Sequence, residues 1–328
     1  MKKKVGNYLL EKIKEIDDLN LYLATEKTTN KKYIAKEFVR KDVENTPEMK
    51  YIKNEATILK DLNHPNIIKL EELKKTKNDY YFLMEYVNGG DLYDALVAYK
   101  EKNGKPFSEE IVQYLMIQIV DALKYIHGKN IIHRNIKLDN ILLNFETEED
   151  KKNLNMFKSQ IKISNFFFSS YVEKTGILKS VVGTPLNMDP IILKKLNSGE
   201  KNDNLGYDKK ADIWSLGTIF YEMLIGKNPF ESEDMEELCQ KIEDGSYSLP
   251  TTISNDAISF LTGMLKYESH KRLNIEKLSE HPFLNKSVKD FDKNIYYNSS
   301  EKEVKLNTKE ETTNVDEEEM VDLSLEEL

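Results

Sequence analysis

The 328 residues carry 48 Lys+Arg against 57 Asp+Glu, a formal net charge of -9 and a sequence pI near 5.4. Nine acidic residues and no basic one fall between Glu310 and Leu328, which leaves residues 1–309 balanced at 48 against 48. A neutral body with an acidic tail argues against non-specific nucleic-acid binding, which needs clustered Lys/Arg to displace phosphate counterions, and against an anionic-membrane footprint. An apolar fraction of 39% suffices for a sizeable core in one large domain or two coupled ones. The single Cys239 offers no intramolecular disulfide and fits a reducing compartment, and the five His lack metal-ligand spacing. No apolar run follows the basic start MKKKVGNYLLEK and none approaches 18 residues, so a cytoplasmic chain without a membrane span is expected.

The first 86 residues read as strands with one helix. Leu19, Leu21 and Leu23 alternate with Asn20 and Tyr22, and Tyr33 to Val39 is a second β-prone run. A helix follows Pro47, with Ile52, Glu55, Leu59 and Leu62 at three- and four-residue steps, and ends at Asn63-His64-Pro65. Ile67 to Leu70 and Tyr80 to Tyr86 read as two further strands. From Asn88 the period becomes helical: Ser108 is set to cap a stripe of Ile111, Leu115, Ile119, Leu123 and Ile126. Residues 211–226 make a second apolar helix around Trp214, and weaker helices are expected near 234–244, 254–266 and 275–280. The charged stretches 145–158 and 197–206 read as surface loops. From about 286 the apolar rhythm fades, and an acidic, mostly disordered tail is expected to Leu328.

Four motifs occur in order: IIHRNIKLDNILL at 131–143, IKISNFFFS at 161–169, GTPLNMDP at 183–190 and ADIWSLG at 211–217. Over residues 8 to about 285 the chain resembles the eukaryotic protein kinases. The 183–190 segment, the 211–230 helix and the insertion after the first motif look most like the autophagy-initiating serine/threonine kinases, with calmodulin-dependent kinases next. The resemblance implies an α+β bilobal fold: residues 1–86 as a small lobe with a five-stranded sheet and one helix, residues 87–285 as a mainly helical lobe, and 286–328 as the tail.

It also implies a set of residues that hold ATP, Mg²⁺ and the attacking hydroxyl in line. In the glycine loop the three glycine positions fall on Lys14, Ile16 and Leu19, and Glu15, Asp17 and Asp18 add negative charge there. Lys36 and Glu55, 19 residues apart, match the lysine–glutamate pair. At the adenine site Leu21 replaces valine and Ile34 replaces a small alanine, while Met84, Glu85, Val87 and Leu142 match the hinge and floor. Leu59, Leu70, His133 and Phe166, anchored by Asp212, match the stack that joins the lobes in active kinases. In the catalytic loop Arg134, Lys137 and Asn140 are kept, but the base aspartate is Asn135 and the metal-binding aspartate is Asn165. Ile191 stands where a glutamate pairs with the residue here Arg272, which is expected to find another carboxylate. Ser180 is the expected site for a phosphate docking on Arg134; the competing expectation is an unmodified Ser180 with Arg134 on backbone carbonyls. Thr184 and Asp139 match positions that face peptide substrates.

Lost base and lost metal ligand point to a pseudokinase, a scaffold or allosteric partner of an active kinase or an autophagy-type complex, with no cofactor expected. The alternatives are a divergent serine/threonine kinase using ATP and Mg²⁺, supported by Lys36, Glu55, Lys137 and Asn140, and a nucleotide sensor without turnover. In the tail, Met320, Val321, Leu323, Leu325 and Leu328 interleave with carboxylates, a pattern for a short helix on a basic partner or on the chain's own lower lobe, or else a solvated tail.

Overall fold

In the computed structural model, residues 2–16, 19–172, 178, 180–198, 206–286, 291 and 319–328 are described, and the chain divides into two units. The first comprises residues 1–60, 69–86 and 292–328. It contains β1 (Lys2–Val5), β2 (Tyr8–Ile16), β3 (Leu19–Glu26), β4 (Lys32–Val39), the single turn α1 (Arg40–Val43), α2 (Glu48–Asp61), β5 (Leu70–Lys75) and β6 (Asp79–Glu85). Strict alternation decides its two faces. Tyr22 and Ala24, Tyr33 and Ala35, and Tyr81 and Leu83 are buried in one cluster with Val5, Tyr8 and Leu10, while Leu21, Leu23, Ile34 and Met84 take the opposite face. The buried phenols need partners. Tyr81 (2.6 Å) and Tyr22 (3.0 Å) donate to Glu37, Tyr8 and Tyr33 to Glu72 at 3.2 Å each, and the Lys3 ammonium pairs with Glu37.

The second unit comprises residues 61–68 and 87–291. Its elements are α3 (Leu92–Asn103), α4 (Glu109–Gly128), β7 (Ile131–Ile132), β8 (Ile141–Phe145), α5 (Glu148–Asn153), β9 (Ser159–Ile163), β10 (Ser170–Tyr171), α6 (Pro190–Ser198), α7 (Lys210–Ile225), α8 (Met235–Asp244), α9 (Asn255–Met264) and α10 (Ile275–Ser279). The expected cap is made, Ser108 accepting from the Ile111 amide, and two further helices are capped in the same way, Asp234 accepting from Glu237 and Ser254 from Ala257. α4 and α7 are the central helices; Trp214 on α7 stacks on Phe230, with rings 5.5 Å apart. β7 pairs with β10 and β8 with β9, two short hairpin-like ladders that carry the catalytic loop between β7 and β8.

The last strand, β11 (Val321–Asp322), pairs antiparallel with β5. The sheet therefore has seven strands, in the order β1-β2-β3-β4-β6-β5-β11, rather than the five expected. It curls until its two edges approach. A Cβ on Gly6, in the β1–β2 turn with φ +51°, would lie 2.7 Å from the Met320 Cβ, so this closure requires glycine. Met320 packs on the tyrosine cluster, and Leu323 and Leu328 are buried. Within the tail expected to be mostly disordered, residues 319–328 are ordered, and the pattern read as a short helix on a partner or on the lower lobe, or else as a solvated tail, forms a strand on the first unit; residues 287–290 and 292–318 lie outside the described residues. The free β5 edge offers unpaired backbone groups, and an extended segment satisfies them as a helix cannot.

Two further readings change. Residues 145–158 hold α5, capped by Thr147, with Met156 buried and Asp150 accepting from Thr147 and Asn155, so the stretch is folded rather than a plain loop. Of 197–206, only 197, 198 and 206 are described, and Asn197 and Ser198 close α6. Ile67 forms an isolated bridge to Ile163 while β5 starts at Leu70.

Arg272 does find another carboxylate. Asp189, two residues before Ile191, pairs with its guanidinium, and both side chains are fully buried. Arg272 also donates to the carbonyls of Lys266 (2.6 Å), Tyr267 (2.9 Å) and Lys210 (3.0 Å), and lies 5.0 Å over the Trp214 ring. With three backbone carbonyls supplying only neutral acceptors, the guanidinium depends on Asp189 for charge. Removing one partner of such a pair leaves an uncompensated buried charge. Asp189→Ala is expected to lower unfolding stability by about 3–5 kcal/mol in chemical denaturation, with partial recovery in Asp189→Ala/Ile191→Glu; a change under ~1 kcal/mol in the single variant contradicts the assignment.

Candidate functional site

In the first unit Lys36 on β4 meets Glu55 on α2 at 2.6 Å, both buried, so the expected ion pair is formed. β4 presents Lys36 on the same face as Ile34, and strand register sets their neighbours: Leu21 opposite Lys36, Leu23 and Met84 opposite Ile34, Phe82 opposite Lys36. Ile34 therefore sits between two long apolar side chains on the face where the resemblance calls for adenine. Glu85 is tied to Lys69, its amide donating to the Lys69 carbonyl and its carboxylate accepting from the Lys69 amide, both at 2.9 Å. The β2–β3 ladder continues through Lys14↔Leu21 and Glu15↔Asn20 to Ile16↔Leu19, with a bulge between Lys12 and Lys14. The three positions that are glycine in the kinase pattern are thus ladder residues of other types.

In the second unit Val87 is buried and the following turn is fastened to β8: the Gly89 amide donates to Leu143 O at 2.8 Å, the Leu143 amide to Gly90 O at 2.9 Å, and Leu142 bridges Asp91. The catalytic loop hangs from Asp212. Its carboxylate accepts from the backbone amides of His133 (2.9 Å) and Arg134 (2.8 Å) and faces His127 Nε2 at 2.9 Å. Burial acts to raise the Asp212 carboxyl, but hydrogen bonds from His127 and the His133 backbone and the nearby imidazoles hold it below the ordinary carboxylate range. These two amide bonds keep Arg134 at φ +68°, a left-handed conformation costly for a long side chain. Burial pushes His133 below its usual imidazole value, so it stays neutral. Nε2–H of His133 donates to Ser164 O at 3.0 Å, Nδ1 accepts from the Asn135 amide at 3.3 Å, and the ring meets Phe166 edge-on at 4.8 Å.

Three carboxamides occupy the centre. Asn140 donates Nδ2 to the Asn135 carbonyl at 2.7 Å, which fixes its Oδ1 as an acceptor. Asn165, at φ +61° where Asn is tolerated, donates its own Nδ2 to that Oδ1 at 3.1 Å. A carboxylate at 165 would set two oxygen lone pairs against each other across this distance unless a cation lay between them. The amide hydrogen supplies the bridge without charge. Asn135, at the base position, accepts from Thr184 Oγ1 at 3.2 Å through its Oδ1, and Lys137 lies 3.7 Å from Asp139.

The Arg134 guanidinium spans two segments. It donates to the carbonyls of Phe168 and Ser169 and to the Ser180 hydroxyl at 2.6 Å, while Tyr207 donates to Ser180 O at 2.7 Å. Gly183 passes so close that a Cβ would lie 2.8 Å from Arg134 O. One group was missed by sequence reading. Glu222 on α7 is pushed up to about 7 by burial and by the charges of Asp139 and Glu231. Only its place in a helix already read as core was visible, with no signal for Asp139 as neighbour. Its folded value lies above its unfolded one, so its contribution to stability falls as pH rises from about 4.5 through about 7. Glu222→Gln is expected to flatten the decline in Tm between pH 5 and 8 and to raise Tm at pH 8; an unchanged Tm–pH profile contradicts this.

Residues 20–284 match the family model described as the protein kinase domain. The chain is 34% identical over 268 residues to myosin light chain kinase A of Dictyostelium discoideum, covering 80% of this chain and 83% of that protein. It is 34% identical over 271 residues to calcium-dependent protein kinase 5 of Plasmodium falciparum, covering 81% and 43%, and 35% identical over 251 residues to a probable serine/threonine-protein kinase of Dictyostelium discoideum, covering 76% and 27%. The chain thus spans less than half the length of two of these three relatives. Among the described residues no helix is long and apolar enough to cross a membrane, and no cluster of three or more His, Cys, Asp or Glu is placed to hold a metal ion. With a curled sheet unit, a helical unit and the ordered catalytic-loop motifs all in place, the chain belongs to the protein kinase domain family, as a serine/threonine-kinase-like member.

Proposed function

We propose that this kinase-like domain is a pseudokinase that works as a scaffold or allosteric partner in kinase signalling. The observation that carries the reading is the 3.1 Å bond from Asn165 Nδ2 to Asn140 Oδ1: the two metal positions satisfy each other, one as donor and one as acceptor. Mg²⁺ between triphosphate and protein prefers carboxylate oxygen, and a donor amide at 165 opposes it. Asn135 is no proton acceptor, and loss of a general base costs about 10²- to 10⁴-fold. Against kinase turnover of roughly 1–100 per second, the combined losses put transfer near or below detection. Ile34 between Leu23 and Met84, and Cβ-bearing residues at the glycine positions, oppose nucleotide on the first unit. The residues present therefore do not fit Mg²⁺–ATP.

The divergent-kinase alternative has one observation in its favour, the buried Lys36–Glu55 pair. In the scaffold reading that pair ties β4 to α2. An active kinase or an autophagy-type assembly remains the proposed partner class on the strength of the 183–190 motif, with the cytoplasm as its place.

Thermal melts of the full chain test the reading. A ligand at 100 times its dissociation constant stabilises by about 2.7 kcal/mol, a shift of several degrees. ATP with Mg²⁺ or Mn²⁺ at millimolar concentration is expected to leave Tm unchanged. A dose-dependent rise, or phosphate transfer abolished by Lys36→Ala, contradicts it.

A further inference from the structure

The seating of residues 319–328 has features of an exchangeable ligand. Only Val321↔Lys75 and Asp322↔Lys74 are ladder pairs, extended by the Leu323 amide donating to Leu73 O at 3.0 Å. The charged contacts are exposed: Asp322 is 91% exposed where it meets Lys74 at 2.6 Å, and Glu327 is 52% exposed where it meets Lys75 at 2.6 Å. Such pairs are screened by salt and hold weakly. The segment shapes itself: Ser324 Oγ accepts from the Glu327 amide at 3.2 Å, and Glu327 Oε2 accepts from the Ser324 amide at 3.0 Å, a reciprocal capping box.

The fit is also incomplete. Beside the strand runs a groove of about 380 Å³ lined by Arg40, Lys75, Lys77 and Tyr80 of the body and by Glu319 and Val321 of the tail. Val321 is 44% exposed at its edge. A strand with a larger apolar residue in that place would cover the stems of Arg40, Lys75 and Lys77, keep the acidic partners of Lys74 and Lys75, and bury more apolar area.

From the β5 ladder, the lysine pairs and the half-filled groove together, we propose that this edge is a docking site for an extended acidic peptide of a protein partner, and that residues 319–328 occupy it in cis. Recognition is by strand addition: backbone pairing to β5 supplies affinity, and alternate side chains supply specificity. The partner carries a bulky apolar residue at the Val321 position, carboxylates at the Asp322 and Glu327 positions and a leucine at the Leu323 position. A tail on the same chain competes at a high effective concentration, so it sets the threshold a partner must exceed. The proposal goes beyond the pseudokinase reading and is independent of it, because the edge uses none of the catalytic-loop residues.

The test uses the full chain and two labelled ten-residue peptides, EMVDLSLEEL (residues 319–328) and the same peptide with Val321→Phe. In fluorescence anisotropy the Phe peptide is expected to bind the Asp322→Lys/Glu327→Lys chain at least ~10-fold more tightly than the unaltered chain, because the cis competitor is weakened. It is also expected to bind that variant more tightly than the parent peptide does, and more weakly as salt rises. Adding Lys74→Glu/Lys75→Glu to the variant restores opposite charges in cis and removes them from the peptide's site, so binding is lost. On the unaltered chain, saturating Phe peptide is expected to accelerate hydrogen exchange at the Leu323 amide. Equal affinity for both chains, no binding to the variant, or an unchanged Leu323 amide overturns the proposal; a dimer that exchanges tails between copies overturns it in favour of a second copy as occupant.

Discussion

Asp212 is the carboxylate from which the catalytic region is built. It lies at the start of α7, fully buried, and its two oxygens take the backbone amides of His133 and Arg134. Holding two consecutive amides fixes the backbone between them, and with it the left-handed Arg134. The rest follows by contact. His133 is oriented to Ser164 O and to the Phe166 ring, the Arg134 carbonyl has room only for Gly183, and the Arg134 guanidinium gathers Phe168, Ser169 and Ser180. An unpaired carboxylate there would be very costly, which ties the stability of the unit to the geometry of the loop.

In the proposed pseudokinase reading, the frame and the chemistry have separated. Groups that hold the backbone are those the kinase motifs call for, and the charged Lys36, Glu55 and Lys137 remain, whereas the two motif aspartates are replaced by the neutral Asn135 and Asn165. Asn165 donates to the Asn140 side chain, Asn140 to the Asn135 backbone carbonyl, and Thr184 to the Asn135 side chain, a run of neutral hydrogen bonds. Neutral amides at these distances satisfy one another, while carboxylates there would need a cation. The same motif positions hold the loop through neutral hydrogen bonds, which supports the proposed pseudokinase reading. The one strongly raised acid nearby, Glu222, owes its value to burial and to Asp139 and Glu231 rather than to any proton-transfer partner.

What the amino-acid sequence made legible was local or motif-borne. Ser108 with its apolar stripe announces α4, Gly226 ends α7 in a left-handed turn, and the order of the four motifs leads to the protein kinase domain. Asn135 and Asn165 are visible as departures because Arg134, Lys137, Asn140 and Phe166 around them are kept. The features that escaped are those made by distant segments. β11 is two residues long, too short for any alternation to register, and exists because β5 has an open edge and Gly6 leaves room for Met320. The Asp189–Arg272 pair joins residues far apart in the chain, so sequence foretold that Arg272 would seek a carboxylate but not which. Charge counting isolated the acidic tail, yet its lysine partners sit in a strand that looked like part of a neutral body.

The central claim, that Asn165 replaces a metal-dependent carboxylate by a metal-free hydrogen bond, is tested most directly by the Tm of the full chain and of Asn165→Asp, each with and without 10 mM Mg²⁺. The account predicts an unaltered chain whose Tm ignores Mg²⁺, and a variant that melts lower without the ion, because its carboxylate faces Asn140 Oδ1, and recovers part of the loss when the ion is added. An unaltered chain stabilised by Mg²⁺, or an Asn165→Asp variant as stable as its parent in the absence of metal, would contradict it.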